Sequence, residues 1–338
     1  MRSSAYSVGL MHPFRGRHTL CVLLCGALLL VEGLAGTATA ASPDTTAFDE
    51  ERATFSVRFG ETTVHHRIMA VTTMPDSTTE IVVDSGWVPE GRYRLDAPSP
   101  LAYRLSGRSW QSTAPSEPGL YPLIVTDTQS GATVRLQVFV LTPWDHDGRR
   151  LNGYRIGRYE MEPRDGRAVY EPPEGFVKVT AQNEDALVSP HFRLNQFLCK
   201  QTDEMPQYAL VRPRLLRHLE QVLTAVNARG HDVSTLHVMS GYRTPSYNRA
   251  LGNTTEYSRH LYGDAADIYV DADQNRRMDD LTGDGRVTMA DARSLANIVQ
   301  NIPTPGDDRF VGGLSTYGAT TVHGPFVHLD LRGRYVRW

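Results

Sequence analysis

The segment SRHLYGDAADI, residues 258–268, carries a histidine at 260 and an aspartate at 267, and HGPFVHLDLRG adds His328 and Asp330. Imidazole nitrogens and carboxylate oxygens are the donors a catalytic zinc takes, three from the protein with one position left open for water. His260 before a strand, Asp267 within it and His328 on a distant strand would supply that set. On a strand Phe326, His328 and Asp330 share a face, so His328 and Asp330 can look into one cleft. Gly263 allows a tight turn between the first two ligands, and the small Ala265 and Ala266 permit close packing beside a metal. Taken singly, these residues have plainer readings: histidines of a core or surface, an aspartate capping a turn. Their order and spacing carry the metal reading.

The elements that must position them follow from periodicity. Leu215, Leu216, Leu219, Val222, Leu223 and Val226 recur at helical spacing, giving an amphipathic helix that stops near Gly230. A short strand in TLHVMSGYRT, a polar loop, the His260 motif, a helix over Ala290–Ile302 ended by Pro303 and a last strand in PFVHLDL complete an α+β domain over 186–338. Residues 45–143 have a different pattern. Phe55, Val57 and Phe59 alternate with polar neighbours, as do Val134, Leu136, Val138 and Val140. Further β-rich runs lie at 63–71, 80–84, 93–97 and 121–126, with Gly, Pro and Ser between them at the spacing of an antiparallel sandwich. EPGLYPLIVTD resembles a late strand pair of immunoglobulin-like modules, so an all-β immunoglobulin-like sandwich is expected here, as a spacer or binding module. His65 and His66 would point to opposite faces of a strand and so not share a metal. Residues 144–185, rich in Arg, Gly and Pro, read as an irregular connector whose tyrosines pack on the next domain.

The first 40 residues stand outside the fold. Arg2, Arg15 and Arg17 precede an apolar run from Leu20 to Val31 that ends in Ala38-Thr39-Ala40, the pattern of a secretory signal cut after Ala40. An exported protein, periplasmic or extracellular, is therefore expected, with no transmembrane span after signal removal. Removal takes Cys21 and Cys25, leaving Cys199 of FRLNQFLCKQ as a buried, inert thiol and excluding an internal disulfide. A net charge of −3 without a basic block argues against a nucleic-acid partner.

The sequence S-x-H-x-x-G-x-A-x-D-I, preceded by SGYRTPSYN and followed by a late V-H-x-D, resembles the zinc D-Ala-D-Ala metallopeptidase family, related to lysostaphin-type peptidases and the hedgehog domain. SPHFRLNQFLC resembles the segment that opens that family's catalytic domain. The resemblance covers roughly residues 186–338. It implies that His260, Asp267 and His328 ligate zinc, that Arg243 holds substrate and steadies the developing oxyanion, that Ser258 contacts substrate or the residues around the metal, and that Tyr242 contacts substrate. The family's usual general base is missing: Glu three before the last ligand, or His two before it, is here Pro325 or Phe326. His323, five before the ligand, matches a catalytic histidine of some branches, and Asp330 shares the face of His328; either would serve as the acid–base group.

Beyond Asp267, residues 280–291 place Asp280, Thr282, Asp284, the Arg286 carbonyl, Thr288 and Asp291 at positions 1, 3, 5, 7, 9 and 12 of an EF-hand-type loop, with Gly285 sixth. A calcium ion bracing the embedded loop 271–291 is the expectation; a solvated acidic turn is the alternative. Asp271, Asp273, Asn275 and Asp279 are candidates for further ligands. Together these readings give an exported zinc peptidase acting on peptidoglycan peptide bonds that involve D-amino acids, as carboxypeptidase or endopeptidase. Its rivals are a zinc-containing wall-binding protein that has lost its base, and a calcium-dependent interaction module.

Overall fold

The computed structural model describes residues 52–83, 91–97, 100–106, 109–146, 148–304, 307 and 309–338; the expected signal segment, 1–40, lies outside them. In the strand Thr133–Val140 the alternating Val134, Leu136, Val138 and Val140 are all at most 1% exposed. Two sheets organise this half. One runs Thr62–Val64, Val57–Phe59, Thr78–Val83, Ser109–Thr113, Ala102–Ser106; the other runs Ile68–Thr73, Thr133–Val140, Gly119–Asp127, Tyr93–Asp96. Val57, Ile81 and Val83 of the first and Leu95, Leu123 and Leu136 of the second belong to one hydrophobic core, an arrangement compatible with a sandwich. The run at 63–71 proves to be two strands, one in each sheet, so His65 and His66 fall in the turn between them.

The segment 144–185 is irregular yet well packed. Tyr154 lies against Tyr208, Tyr159 against Tyr262, and Tyr170 meets both Tyr257 and Tyr262 edge-on. Its strand Gly175–Val179 pairs with Thr142–Pro143 on one side and Gln207–Ala209 on the other, tying the two halves of the chain together.

In the C-terminal half a second five-stranded sheet runs His237–Ser240, Ala265–Tyr269, Phe326–Asp330, Gly313–Tyr317, Val336–Arg337, antiparallel except for its last pair. Helix Met289–Gln300 packs against the strands Gly313–Tyr317 and Phe326–Asp330, and against helix Pro213–Asn227. The longer helix begins with proline, whose missing N–H is no loss there, and buries Leu215, Leu216, Leu219, Val222, Leu223 and Val226 as the periodicity requires. Cys199 is buried, and burial raises its thiol above the ordinary value. Among the described residues no helix is long and apolar enough to cross a membrane.

Candidate metal centre

Strand register builds the site. Asp267 stands opposite His328 on the neighbouring strand, Ser240 opposite Asp267 across a bulge, and Ser315 opposite His328, so one transverse row holds Ser240, Asp267, His328 and Ser315. His260 enters from the turn Arg259–Tyr262, which Gly263 ends in the left-handed region at φ +64°. A Cβ on Gly263 would lie 2.5 Å from the Leu210 carbonyl oxygen, so the turn can pass this close to the backbone only as glycine. The Tyr242 N–H donates to the Phe197 carbonyl at 2.9 Å and the Arg243 N–H to the His260 carbonyl at 3.1 Å, locking the SGYR turn to the histidine turn.

The donor atoms of His260, Asp267 and His328 all lie within 4.8 Å of one another, and all three side chains are buried. His260 Nε2 is 3.2 Å from His328 Nδ1 and 3.3 Å from Asp267 Oδ1; His328 Nδ1 is 2.9 Å from the same oxygen. The nitrogens facing away are fixed by acceptors. His260 Nδ1 donates to the Gly241 carbonyl at 2.7 Å, which leaves Nε2 with its lone pair toward the cluster. His328 Nε2 donates to Asp330 Oδ2 at 3.1 Å, which turns Nδ1 inward. Two imidazoles whose outer N–H groups are anchored, and one carboxylate, fit zinc in donor type and number, with the outer hydrogen bonds setting ring orientation.

Electrostatics reinforce this. Burial alone would raise the Asp267 carboxyl, but His260 and His328 hold it well below the usual carboxylate range. Burial lowers His260. Burial would lower His328 too, yet hydrogen bonds from its two ring nitrogens to Asp267 and Asp330 outweigh that and push it up to about 9. Without metal the ring is therefore a proton-carrying bridge between two carboxylates.

The remaining sequence candidates fall in different places. Arg243 pairs its Nη2 with Asp267 Oδ2 and donates from Nε to Ser240 Oγ at 2.7 Å. Among the described residues Nη1 has no hydrogen-bond partner. Ser258 is half-buried at the head of the His260 turn, and its carbonyl accepts the Leu261 N–H at 3.0 Å. Tyr242 is 1% exposed; its hydroxyl meets that of Tyr159 at 3.1 Å, and Tyr159 in turn donates to the Leu261 carbonyl. Tyr242 thus braces the site loop from within the core and offers nothing to a substrate.

Asp330 is fully buried, behind His328, and is clasped by the Arg332 guanidinium through Nε at 2.7 Å and through Nη2. Burial opposes ionisation, but His328 and Arg332 hold its carboxyl far below the usual range. Asp330 shares the strand face of His328, and with both oxygens engaged by His328 and Arg332 it is a poor proton acceptor. His323 lies before the strand, half-exposed, its ring edge-on to Phe326 at 5.0 Å. Its Nδ1 donates to the Gly324 carbonyl at 2.8 Å.

The geometry gives the calcium loop no support. Thr288 caps helix Met289–Gln300 and forms a capping box with Asp291, whose carboxylate accepts the amides of Thr288, Leu281 and Thr282. Asp280 accepts the amides of Thr282, Gly283, Asp284 and Gly285, while Asp284 accepts that of Arg286. These carboxylates fold the loop onto itself instead of converging on one point. The acidic group that does draw together is Asp271, Asp273 and Asp279, but Asp271 and Asp273 accept the Asn275 amide, and Asp279 that of Ala272.

Sequence reasoning missed Arg332, the Gly241 carbonyl, Trp338 and Lys200. Trp338 lies against His328 with ring centroids 5.3 Å apart. Lys200 is close enough to Arg243 and Asp267 to feel both charges; burial first and then Arg243 and Arg276 lower it, against Asp267. The arginine two residues beyond Asp330 was the one available signal.

The family model described as Peptidase M15 matches residues 190–289, which include His260 and Asp267 and stop short of His328. No curated protein matches the chain. The third donor, outside the matched residues, is brought to the other two by the pairing of the Ala265–Tyr269 and Phe326–Asp330 strands. The matched segment and the motifs it contains support the zinc D-Ala-D-Ala metallopeptidase family, peptidase M15, for the C-terminal half of this chain.

Proposed function

We propose that this protein is an exported zinc metallopeptidase that hydrolyses peptidoglycan peptide bonds involving D-amino acids, as a carboxypeptidase or endopeptidase. The observation that carries this reading is the convergence of His260, Asp267 and His328, with their outer nitrogens anchored, in a chain whose segment 190–289 matches a peptidase family. When bound, zinc supplies Lewis acidity, polarising a scissile carbonyl and making water nucleophilic near neutral pH. The protein does the rest. Arg243, held by Asp267 and Ser240, presents Nη1 to an oxygen gaining negative charge. His323, its Nδ1 held by the Gly324 carbonyl, takes a proton from the attacking water and returns it to the leaving amine. Asp330 and Arg332 keep the His328 ring aligned.

The N-terminal sheets would then be an immunoglobulin-like module that positions the enzyme on the wall or a partner. Two sheets that share one hydrophobic core support that reading, and the charged start, apolar run and A-x-A end of residues 2–40 support a periplasmic or extracellular site of action. A second reading, a zinc-containing wall-binding protein of little activity, draws on Pro325 and Phe326 where relatives carry a base and on the engaged state of Asp330. Digestion of purified peptidoglycan, read by mass spectrometry for wild type, His323→Ala and a chelated control, separates the two. Loss of a terminal D-Ala or of a cross-link, absent in the variant and the control, establishes the peptidase; intact fragments from zinc-loaded wild type reject it.

A further inference from the structure

Beside the metal cluster an aromatic surface is left open in a way that packing alone does not require. Trp338 is 54% exposed, yet contacts to its ring and its backbone orient it. Its indole N–H donates to the Tyr317 hydroxyl at 2.8 Å, its carbonyl accepts the Ser315 hydroxyl, and the Arg332 guanidinium lies 5.1 Å from its ring centre. Its ring centroid is 5.3 Å from that of His328. Tyr317 is 37% exposed and stacks on Phe326 at 4.7 Å with planes 9° apart, and Phe326 in turn meets the His323 ring. A large apolar ring left half in water forgoes the stabilisation that burial would give. Here the ring is nevertheless ordered, and its one polar group is already engaged, so the free part presents only an apolar face.

We propose that Trp338, with Tyr317 at its edge, is a substrate subsite that takes the uncharged alkyl side chain of a residue flanking the scissile bond, such as the methyl group of an alanine. The proposal rests on the reading of the protein as a peptidase of peptidoglycan peptides. Reach selects the occupant. Successive residues of an extended peptide advance by roughly 3.3–3.6 Å, so a ring centred 5.3 Å from a metal-ligand ring meets a residue at or next to the cleaved bond. A sugar joined to that bond through intervening residues lies beyond it. Charge selects against an anion: the Arg332 guanidinium over the indole is already neutralised by Asp330. Trp338 would therefore be a specificity-determining residue, acting through contact with substrate.

The test compares peptides carrying D-Ala or glycine at each position flanking the cleaved bond, with wild type, Trp338→Phe and Trp338→Ala, all checked for zinc content. A second readout is binding of the same peptides to zinc-free protein, followed by NMR transfer from the alanine methyl to the indole. Wild type is expected to favour D-Ala over glycine at one flanking position by about fourfold in kcat/KM, the worth of one buried methyl-sized group. Trp338→Ala should abolish that preference through KM, with Trp338→Phe intermediate, and the methyl should contact the indole in wild type. Cleavage by wild type with the preference unchanged in Trp338→Ala overturns the subsite alone. Competition for the indole by a peptide-free disaccharide also overturns it, by assigning the surface to glycan. Absence of both cleavage and peptide binding by zinc-loaded wild type overturns the peptidase reading and the subsite with it.

Discussion

The Nε2 of His328 and the Oδ2 of Asp330 lie 3.1 Å apart, on the side of the ring away from Asp267. That contact assigns Asp330 the task of aiming an imidazole, and it makes a distinguishing prediction. Asp330→Ala should weaken zinc binding by about 10–100-fold, as loss of a hydrogen bond behind a metal-bound histidine does, measured by competition with a chromophoric chelator. Activity should return in large part at saturating zinc. A proton-transfer role would give the opposite split: wild-type affinity and no recovery.

Removal of His323, the proposed proton acceptor, should behave in that opposite manner. His323→Ala is expected to retain its zinc while kcat falls by about 10²–10⁴-fold, the usual contribution of a positioned acid–base group. Steady-state hydrolysis of a defined peptide, beside metal analysis of the same sample, checks both parts.

A pH dependence follows from His328. Its pKa in the metal-free fold is about 9, above the ~6.5 of an unfolded chain. A raised base binds its proton more tightly when folded, so its contribution to stability is complete below about pH 6.5 and lost as pH rises through about 9. Urea midpoints of metal-free protein should therefore fall between those limits. Zinc must displace the same proton, so metal addition at pH 7.5 in weak buffer should release acid, and this release should vanish by about pH 10.

Behind the site loop, Arg259 is 1% exposed and runs between the rings of Tyr170 and Tyr262, each 4.7 Å from its guanidinium carbon. It donates to the Val169 carbonyl and to Asp264, which is fully buried and also paired with Arg214. Arg259→Met should cost about 3–5 kcal/mol in urea unfolding, because it leaves a buried carboxylate short of its partner. Adding Asp264→Asn to that variant should recover part of the loss.

Gly263→Ala tests the turn itself. The left-handed φ costs a residue with a Cβ about 1–2 kcal/mol, and the 2.5 Å approach to the Leu210 carbonyl adds strain that forces the chain apart. Lower zinc affinity should accompany the lower unfolding temperature, since the same turn carries His260.

Much of this was legible in the residues, and the exceptions have physical causes. The helix at 213–227 and the strand at 133–140 announce themselves because each buries one continuous stripe or face. His260, Asp267 and His328 could be grouped because ligand chemistry restricts the residue types and a strand restricts their direction. Asp330 could not be assigned so easily: period two fixes its face, but its partner is set by Arg332, beyond the strand's end. Thr288 and Asp291 satisfied two patterns at once, an ion-binding loop and a helix cap, and the cap prevails because the amides at a helix start must find acceptors. Tyr242 was misplaced because neighbours in a turn point in different directions: Arg243 reaches Asp267, whereas Tyr242 goes into the core. Trp338 gave no signal, since nothing in its local sequence shows that it meets His328.

The strand Phe326–Asp330 occupies the middle of its sheet, between two strands made earlier in synthesis. Asp267 and His260 leave the ribosome some sixty residues before His328, so the growing chain holds two of its three donors without the third. Only the pairing of that late strand with Ala265–Tyr269 completes the donor set, so a chain ending before Phe326 would carry two donors and no full metal site.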